Sequence, residues 1–220
     1  MLTEQAREQM VEQMVEQQVR AWEVLDARVL ETLRQVPREL FVPAEHRYLA
    51  FADVAIPLPH GQHMLRPNVA GRLLQALELA GGERVLEIGA GSGFLTACLA
   101  LASRSVHAVE IFPELAELAA NNLATVGVRN ATVESIDAMQ LKAVDQYDVV
   151  ALTASLPVYD ERFQRLLRVG GRLFVVIGEP PVMEACLLRC VAEGAWSRES
   201  LFETVVDPLV NAWRPREFEF

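Results

Sequence analysis

The sequence predicts an α/β fold: a seven-stranded, mostly parallel, doubly wound sheet with an N-terminal helical cap. Three observations predict it. From residue 84 onward, short apolar runs alternate with helix-length segments, the rhythm of a parallel sheet whose crossovers are helices. The runs VLEIG, VVAL and LFVVIG are close to continuously apolar, as strands covered on both faces should be. The first of them runs into three glycines at alternate positions, 89, 91 and 93, just before a helix.

The elements follow in order. Residues 3–36 read as helical, with Met10, Val11, Met14, Val15, Val19 and Trp22 recurring at spacings of three and four among Glu and Gln. Asp26 is placed to cap a second helix, ARVLETLRQV, which Pro37 ends. RELFVP and a loop-rich stretch over 43–67 come next. Residues 68–79 read as a helix stopped by Gly81-Gly82. RVLEIG (84–89) reads as strand, FLTACLALA as helix, SVHAVEI (105–111) as strand, and PELAELAANNLATVG as a helix with Pro113 in its first turn. ATVESID and YDVVALTA (147–154) read as strands, ERFQRLLRVGG as a helix closing in a Gly-Gly turn, and RLFVVIG (172–178) as a strand. PVMEACLLRCVAEG reads as a helix, and LFETVVDPLV with REFEF supplies the last strands. Residues 1–67 thus form a helical cap with a substrate loop, and residues 68–220 a ligand-binding α/β domain, within one compact unit.

Composition narrows the function classes. Twenty basic against 30 acidic residues give a net charge of −10 over 220 residues, which argues against a general nucleic-acid binder with its basic face. No apolar run reaches the ~18–20 residues of a membrane span. The start, MLTEQAREQMVEQ, lacks the charged-then-apolar order of a signal peptide. With three cysteines, an odd number, this points to a cytoplasmic protein. Cys186 and Cys190 read as two small residues on one helix face, with no metal implied, since no histidine is near them in sequence.

The strongest motif is VLEIGAGSGF, residues 85–94. Glycine permits the tight turn and lets a ligand approach the backbone, and in an open parallel sheet this crossover is where ligands sit. A phosphate-binding P-loop would need Lys-Ser/Thr after its last glycine, and Phe94-Leu95 stands there. A dinucleotide loop would place its third glycine one residue later, and Glu87 would repel a pyrophosphate. S-adenosylmethionine, with an ammonium and a sulfonium, suits nearby carboxylates. Glu110 follows Gly89 by twenty-one residues, at the end of the second strand, where an acid can accept from both ribose hydroxyls. Asp137, within Ile136-Asp137-Ala138, ends the third strand, where an adenine amino group would lie. Three acids at the ends of three consecutive strands favour S-adenosylmethionine over a nicotinamide cofactor. The expected cofactor-binding set is Gln62, Glu87, Gly89, Ala90, Gly91, Ser92, Gly93, Glu110, Ile111, Ile136, Asp137, Ala138 and Thr153.

VLEIGAGSGF, the Glu110 strand and the VGG turn resemble class I methyltransferases with their Rossmann-like fold. The upstream segments MVEQQVRAWEVLDARVLETLRQVPRELFVP and ADVAIPLPHGQHMLRPNVAGRLLQALEL, with LTAS at 152–155 and VVDPLV, resemble the protein-L-isoaspartate O-methyltransferase family over nearly the whole chain. That resemblance implies methylation of the α-carboxylate of L-isoaspartyl residues in damaged protein; the ester closes to a succinimide whose hydrolysis restores some normal aspartyl. A carboxylate of pKa ~4 is already ionised and needs no general base. Alignment of the oxygen with the methyl group and exclusion of water would do the work.

The departures concentrate in GQHMLRP, residues 61–67. Where the family has G-Q-T-I-S-Q-P, this chain has His63, Met64, Leu65 and Arg66. Leu65 stands at the serine position treated as catalytic in the family, and it neither donates nor accepts a hydrogen bond. His63 reads two ways, as a loop histidine bonded to a backbone carbonyl or as a general base for a phenol, thiol or amine. Arg66 reads as a surface arginine or as a bidentate grip on a carboxylate. Zinc at His60-x-x-His63 is set aside because no acid or thiol pair matches it. Thr153 and Ser155 read as strand-end hydroxyls that face the site. The acceptor is expected to be an isoaspartyl peptide, turned over weakly; a small apolar metabolite and a catalytically silent binding protein are the alternatives.

Overall fold

A computed structural model describes residues 3–142, 144 and 146–214. The first helix, α1 (Glu4–Gln13), begins at Thr3, whose side chain accepts from the Ala6 amide at 3.2 Å. It passes into a wider π-turn over Met14–Val19 and a short 3-10 turn over Arg20–Trp22. The widening has a packing reason. Met14, Val15 and Val19 are all buried, and at five residues per hydrogen-bonded ring Met14 and Val19 come onto one face. Glu23, in the left-handed region at φ 63°, ends the run, which separates the first helical segment from the expected second one. Asp26 caps α2 (Ala27–Gln35) as expected, accepting from the Arg28 amide at 2.9 Å. α3 (Pro67–Leu77) crosses beneath both. At Gly71 a β-carbon would meet a Val19 methyl at 2.6 Å, so this glycine is what lets the cap sit on α3. Glu78, left-handed at φ 47°, ends α3 before the two glycines are reached.

The sheet follows the expected rhythm through its first half: β3 (Arg84–Ile88), α4 (Phe94–Ala102), β4 (Ser105–Glu110), α5 (Pro113–Thr125), β5 (Ala131–Ser135) and β6 (Tyr147–Leu156). A two-stranded ribbon of β1 (Ile56–Pro57) and β2 (His63–Met64) stands apart from it. With β7 (Leu167–Glu179), β8 (Val182–Ala192) and β9 (Ala195–Glu203), the seven strands lie in the order β5-β4-β3-β6-β7-β8-β9. Pairing is parallel from β5 to β7 and antiparallel for β8 and β9. The chain runs outward from β3 to β5, then returns to lay β6 on the other side of β3. That reversal opens a crevice at the carboxyl ends of the central strands.

The second half departs from the sequence expectation. The helix expected over 161–171 is a short 3-10 turn, Glu161–Leu166, after which β7 begins at once. Val169-Gly170-Gly171 is a bulge inside that strand, where pairing jumps from Tyr147↔Leu167 to Val149↔Arg172. The helix expected over 181–194 is strand β8. Met183, Ala185 and Leu187 pack into one core cluster, Cys186 and Leu188 into the other. A strand buried on both faces shows no alternation of polarity, so its apolar run imitates a buried helix. Cys186 and Cys190 are therefore buried thiols on a strand, not on a helix face. The final strand starts earlier than expected, at Ala195. Residues 204–210 are not a strand but an extended strap joined to β6 by one bridge, Ser155↔Pro208. REFEF, 216–220, lies outside the described residues.

Residues of the cap and of the sheet share one core cluster, from Val11 and Leu33 through Leu73 to Val149 and Phe174. The second cluster, on the opposite face, is covered by the turns holding Ala138, Phe163 and Leu166. Among the described residues no helix is long and apolar enough to cross a membrane.

Candidate active site

A cavity of about 350 Å³ opens at the carboxyl ends of β3, β4, β5 and β6. Its roof is the β1–β2 region with residues 62–66 on one side and the strap, residues 205–210, on the other. Of the expected site residues, Gln62, His63, Leu65, Arg66, Gly89, Gly91, Glu110, Ile111, Ile136, Asp137, Ala138 and Thr153 line it.

The sheet side is built around Glu110. Its carboxylate is nearly buried and accepts from the Gly91 amide at 2.9 Å through one oxygen and from the Phe112 amide at 3.2 Å through the other. The carboxylate therefore stitches the glycine turn to the end of β4 while remaining on the cavity wall. Gly91 takes φ 54° to present that amide. Thr153 fixes the start of the turn, its hydroxyl lying 2.9 Å from the carbonyls of both Ile88 and Gly89. Asp137 accepts from the Met139 amide at 2.8 Å and from the Asn211 side chain at 2.9 Å. Ile111 and Phe112 on one flank and Ile136 and Ala138 on the other give apolar surface between the two acids.

Four expected residues stand off the wall. Ala90 and Ser92 are buried behind the turn. Gly93 opens α4, where a β-carbon would come within 3.1 Å of the Ala119 backbone. Glu87 is fully buried and accepts from the Thr96 hydroxyl at 2.5 Å, with its other oxygen unpartnered among the described residues. Burial, reinforced by the charge of Glu110, pushes its pKa up to about 8. Glu87 thus lies behind the loop and off the cavity wall, in surroundings that favour its protonated form.

On the loop side His63 bonds a carboxylate rather than a backbone carbonyl. Its Nδ1 lies 3.2 and 3.1 Å from the two carboxylate oxygens of Asp207, 144 positions away in the chain. Asp207 is itself held by backbone. Its carbonyl accepts from the Ser155 amide at 2.8 Å, and the Ser155 carbonyl accepts from the Leu209 amide at 2.8 Å. Ser155 is thus the strap's anchor, buried and off the cavity wall. His60 goes elsewhere, stacking on Phe112 at 4.2 Å and bonding Glu114 at 2.8 Å. Arg66 is exposed at the cavity; its carbonyl accepts from the Ala70 amide at 3.0 Å, and its side chain has no ion pair or hydrogen bond among the described residues. Arg38 supports the loop from below. Its Nη2 donates to the Leu65 carbonyl at 2.8 Å and its Nε to the Ala50 carbonyl at 3.0 Å.

Asp207, Asn211 and Arg38 escape the sequence reading. The one local signal is an acid set between Val206 and Pro208 in an otherwise apolar run. Nothing in the sequence pairs it with His63, because only the return of the strap to β6 brings them together.

The donor set fits S-adenosylmethionine. A buried, doubly tethered carboxylate at Glu110 suits a ribose diol, a second acid at Asp137 suits an exocyclic amine, and the apolar flanks suit an adenine ring. The model of the family described as protein-L-isoaspartate(D-aspartate) O-methyltransferase matches residues 6–210. A protein-L-isoaspartate O-methyltransferase of Aeropyrum pernix is 37% identical over 200 residues, covering 88% of this chain and 76% of its own. One of Rhodopseudomonas palustris is 36% identical over 204 residues, covering 91% and 94%. In fold, the chain is similar to a crystal structure named for protein-L-isoaspartate O-methyltransferase of Plasmodium falciparum, in complex with S-adenosyl-L-homocysteine. The TM-score is 0.78 at 18% identity, covering 92% of this chain and 97% of that one.

Proposed function

The chain belongs to the protein-L-isoaspartate(D-aspartate) O-methyltransferase family, and from that premise we propose that Arg66, beside the Leu65 that stands at the family's serine position, holds the isoaspartyl carboxylate to be methylated. The protein is an S-adenosylmethionine-dependent O-methyltransferase. When bound, S-adenosylmethionine supplies a methyl group on a positively charged sulfur. Glu110 would accept from its ribose hydroxyls, Asp137 from its adenine amine, and the Gly89–Gly91 backbone would pass close beneath it. The chain's own contribution is to place a carboxylate oxygen in line with that methyl and keep water away.

Arg66 carries the reading. It is an exposed residue of the cavity lining whose guanidinium has no acidic partner among the described residues, next to the apolar Leu65. A planar fork matches a carboxylate by two parallel hydrogen bonds. Leu65 adds no donor, so turnover of isoaspartyl peptide should be slower than in serine-bearing relatives. The test is transfer of labelled methyl to an isoaspartyl peptide and to its aspartyl counterpart. Arg66→Leu should lower kcat/KM for the isoaspartyl peptide by roughly ten- to hundred-fold, as loss of ~1.5–3 kcal/mol of charged hydrogen bonding requires. Leu65→Ser should raise it. An Arg66→Leu variant as active as the wild type would sink the assignment.

The cofactor side has its own test. Glu110→Ala should weaken S-adenosylhomocysteine binding by calorimetry about ten- to hundred-fold, ~1–3 kcal/mol, because the ribose donors lose a charged acceptor and the glycine turn loses its tether. Unchanged affinity would remove Glu110 from the cofactor site.

A further inference from the structure

We propose that His63 and Asp207 form a general-base pair that lets this site also methylate an aromatic hydroxyl on a flat, apolar body. The proposal rests on the cofactor-dependent methyl transfer assigned above and extends the class of acceptor.

The first observation is chemistry left without a task. A carboxylate acceptor is ionised at neutral pH and has no proton to give up. Yet the cavity contains a histidine whose Nδ1 is held by both oxygens of a carboxylate, at 3.1 and 3.2 Å. That arrangement fixes the Nδ1–H tautomer and leaves Nε2 as the acceptor, and among the described residues Nε2 has no hydrogen-bond partner. The orienting carboxylate also stabilises the imidazolium that forms on taking a proton. The second observation is that both halves are held by backbone. His63 pairs with Pro57 across the β1–β2 ribbon, and Asp207 is pinned through its carbonyl to the Ser155 amide.

The third observation is the wall. Leu58, Met64, Leu65, Val69 and Val206 surround this end of the cavity with apolar surface. An aromatic hydroxyl fits both features. Its body suits the wall, and its pKa near ~10 is within reach of an imidazole base, as that of an aliphatic alcohol is not. The balance closes. The hydroxyl proton passes to His63 Nε2 as the oxygen forms its bond to the methyl carbon and the carbon–sulfur bond breaks. The aryl methyl ether and neutral S-adenosylhomocysteine are the products. The imidazolium, at a half-exposed residue, returns its proton to water.

The experiment uses the full chain with labelled S-adenosylmethionine and two acceptors, 4-ethylphenol and an isoaspartyl peptide. Wild type should methylate the phenol. His63→Gln and Asp207→Asn should each lower the ratio of phenol to peptide turnover about a hundred-fold, the usual scale of a general base. Imidazole in the buffer should restore part of the phenol rate to His63→Ala. Independently of turnover, nitrogen-15 spectra of the S-adenosylhomocysteine complex should show His63 protonated on Nδ1, and Asp207→Asn should abolish that preference. Peptide turnover without phenol turnover, equal losses on both acceptors, or an Nε2–H tautomer in the wild type would each overturn the proposal. Phenol turnover without peptide turnover would instead remove the isoaspartyl assignment and leave the base pair standing.

Discussion

Arg38→Ala should lower the unfolding free energy by about 3–5 kcal/mol and raise KM for the acceptor with little effect on cofactor affinity. Arg38 is 1% exposed, and its guanidinium carbon sits 4.6 Å from the centre of the Phe94 ring. Burial brings its pKa down to about 10, so it stays charged at neutral pH. The alanine would leave a cavity and strip donors from the Ala50 and Leu65 carbonyls. Each orphaned buried acceptor costs roughly 1–3 kcal/mol, and the void adds to that. The Leu65 carbonyl belongs to the loop that carries Arg66, hence the effect on acceptor binding. Arg38→Lys keeps the charge but not the fork, and should fall between the two. Urea unfolding with a slope unchanged from wild type is the measurement; a loss under ~1 kcal/mol would show that the guanidinium does not organise the loop.

Glu87→Gln should stabilise the protein, and by more the higher the pH. The folded-state pKa of Glu87, about 8, lies above its ordinary 4.5. Between those values the folded chain holds a proton that the unfolded chain has released. Stability from this group is therefore complete below about 4.5 and is lost as pH rises through about 8. At about 1.4 kcal/mol per pH unit the ceiling on that loss is roughly 5 kcal/mol. Glutamine keeps the shape, still accepts from Thr96, and does not titrate. Variant and wild type should melt together near pH 5, and the variant should be a few kcal/mol more stable near pH 9. Parallel curves across that range would mean that Glu87 is already ionised in the folded protein.

What the sequence made legible tracks how local the signals are. The glycine turn, the β4 acid and the Asp26 cap are determined within a few residues, and each falls where expected. The fold class is likewise readable from strand–helix alternation between 84 and 156, where polarity changes with every element. RLFVVIG is strand as expected, and legibility fails on either side of it, at residues 167–171 and at β8, which read as helix. The centres of β7 and β8, 173–176 and 185–188, are apolar and buried at every position, and such a run does not by itself separate strand from helix. The burial of Glu87 is illegible for a related reason: its motif position sets the backbone, while its side chain bonds Thr96 of α4 behind the loop. The acceptor half is harder still. His63 is visible in sequence, but its partner arrives from 144 residues away, so the sequence alone leaves the base and the bland loop histidine equally open.

The strap holds one more consequence. Asp207 engages His63, at the end proposed for the acceptor, and four positions later Asn211 engages Asp137, at the end proposed for adenine. The two half-sites thus share a single length of backbone. An adenine amine that displaces Asn211 from Asp137 frees the far end of the segment that orients the histidine, and an acceptor that reseats Asp207 shifts Asn211 in turn. Such a connection is a thermodynamic linkage and must be reciprocal: whatever factor the cofactor imposes on acceptor affinity, the acceptor imposes on the cofactor. In this chain the coupling between the two half-sites would run through one stretch of seven residues, 205–211.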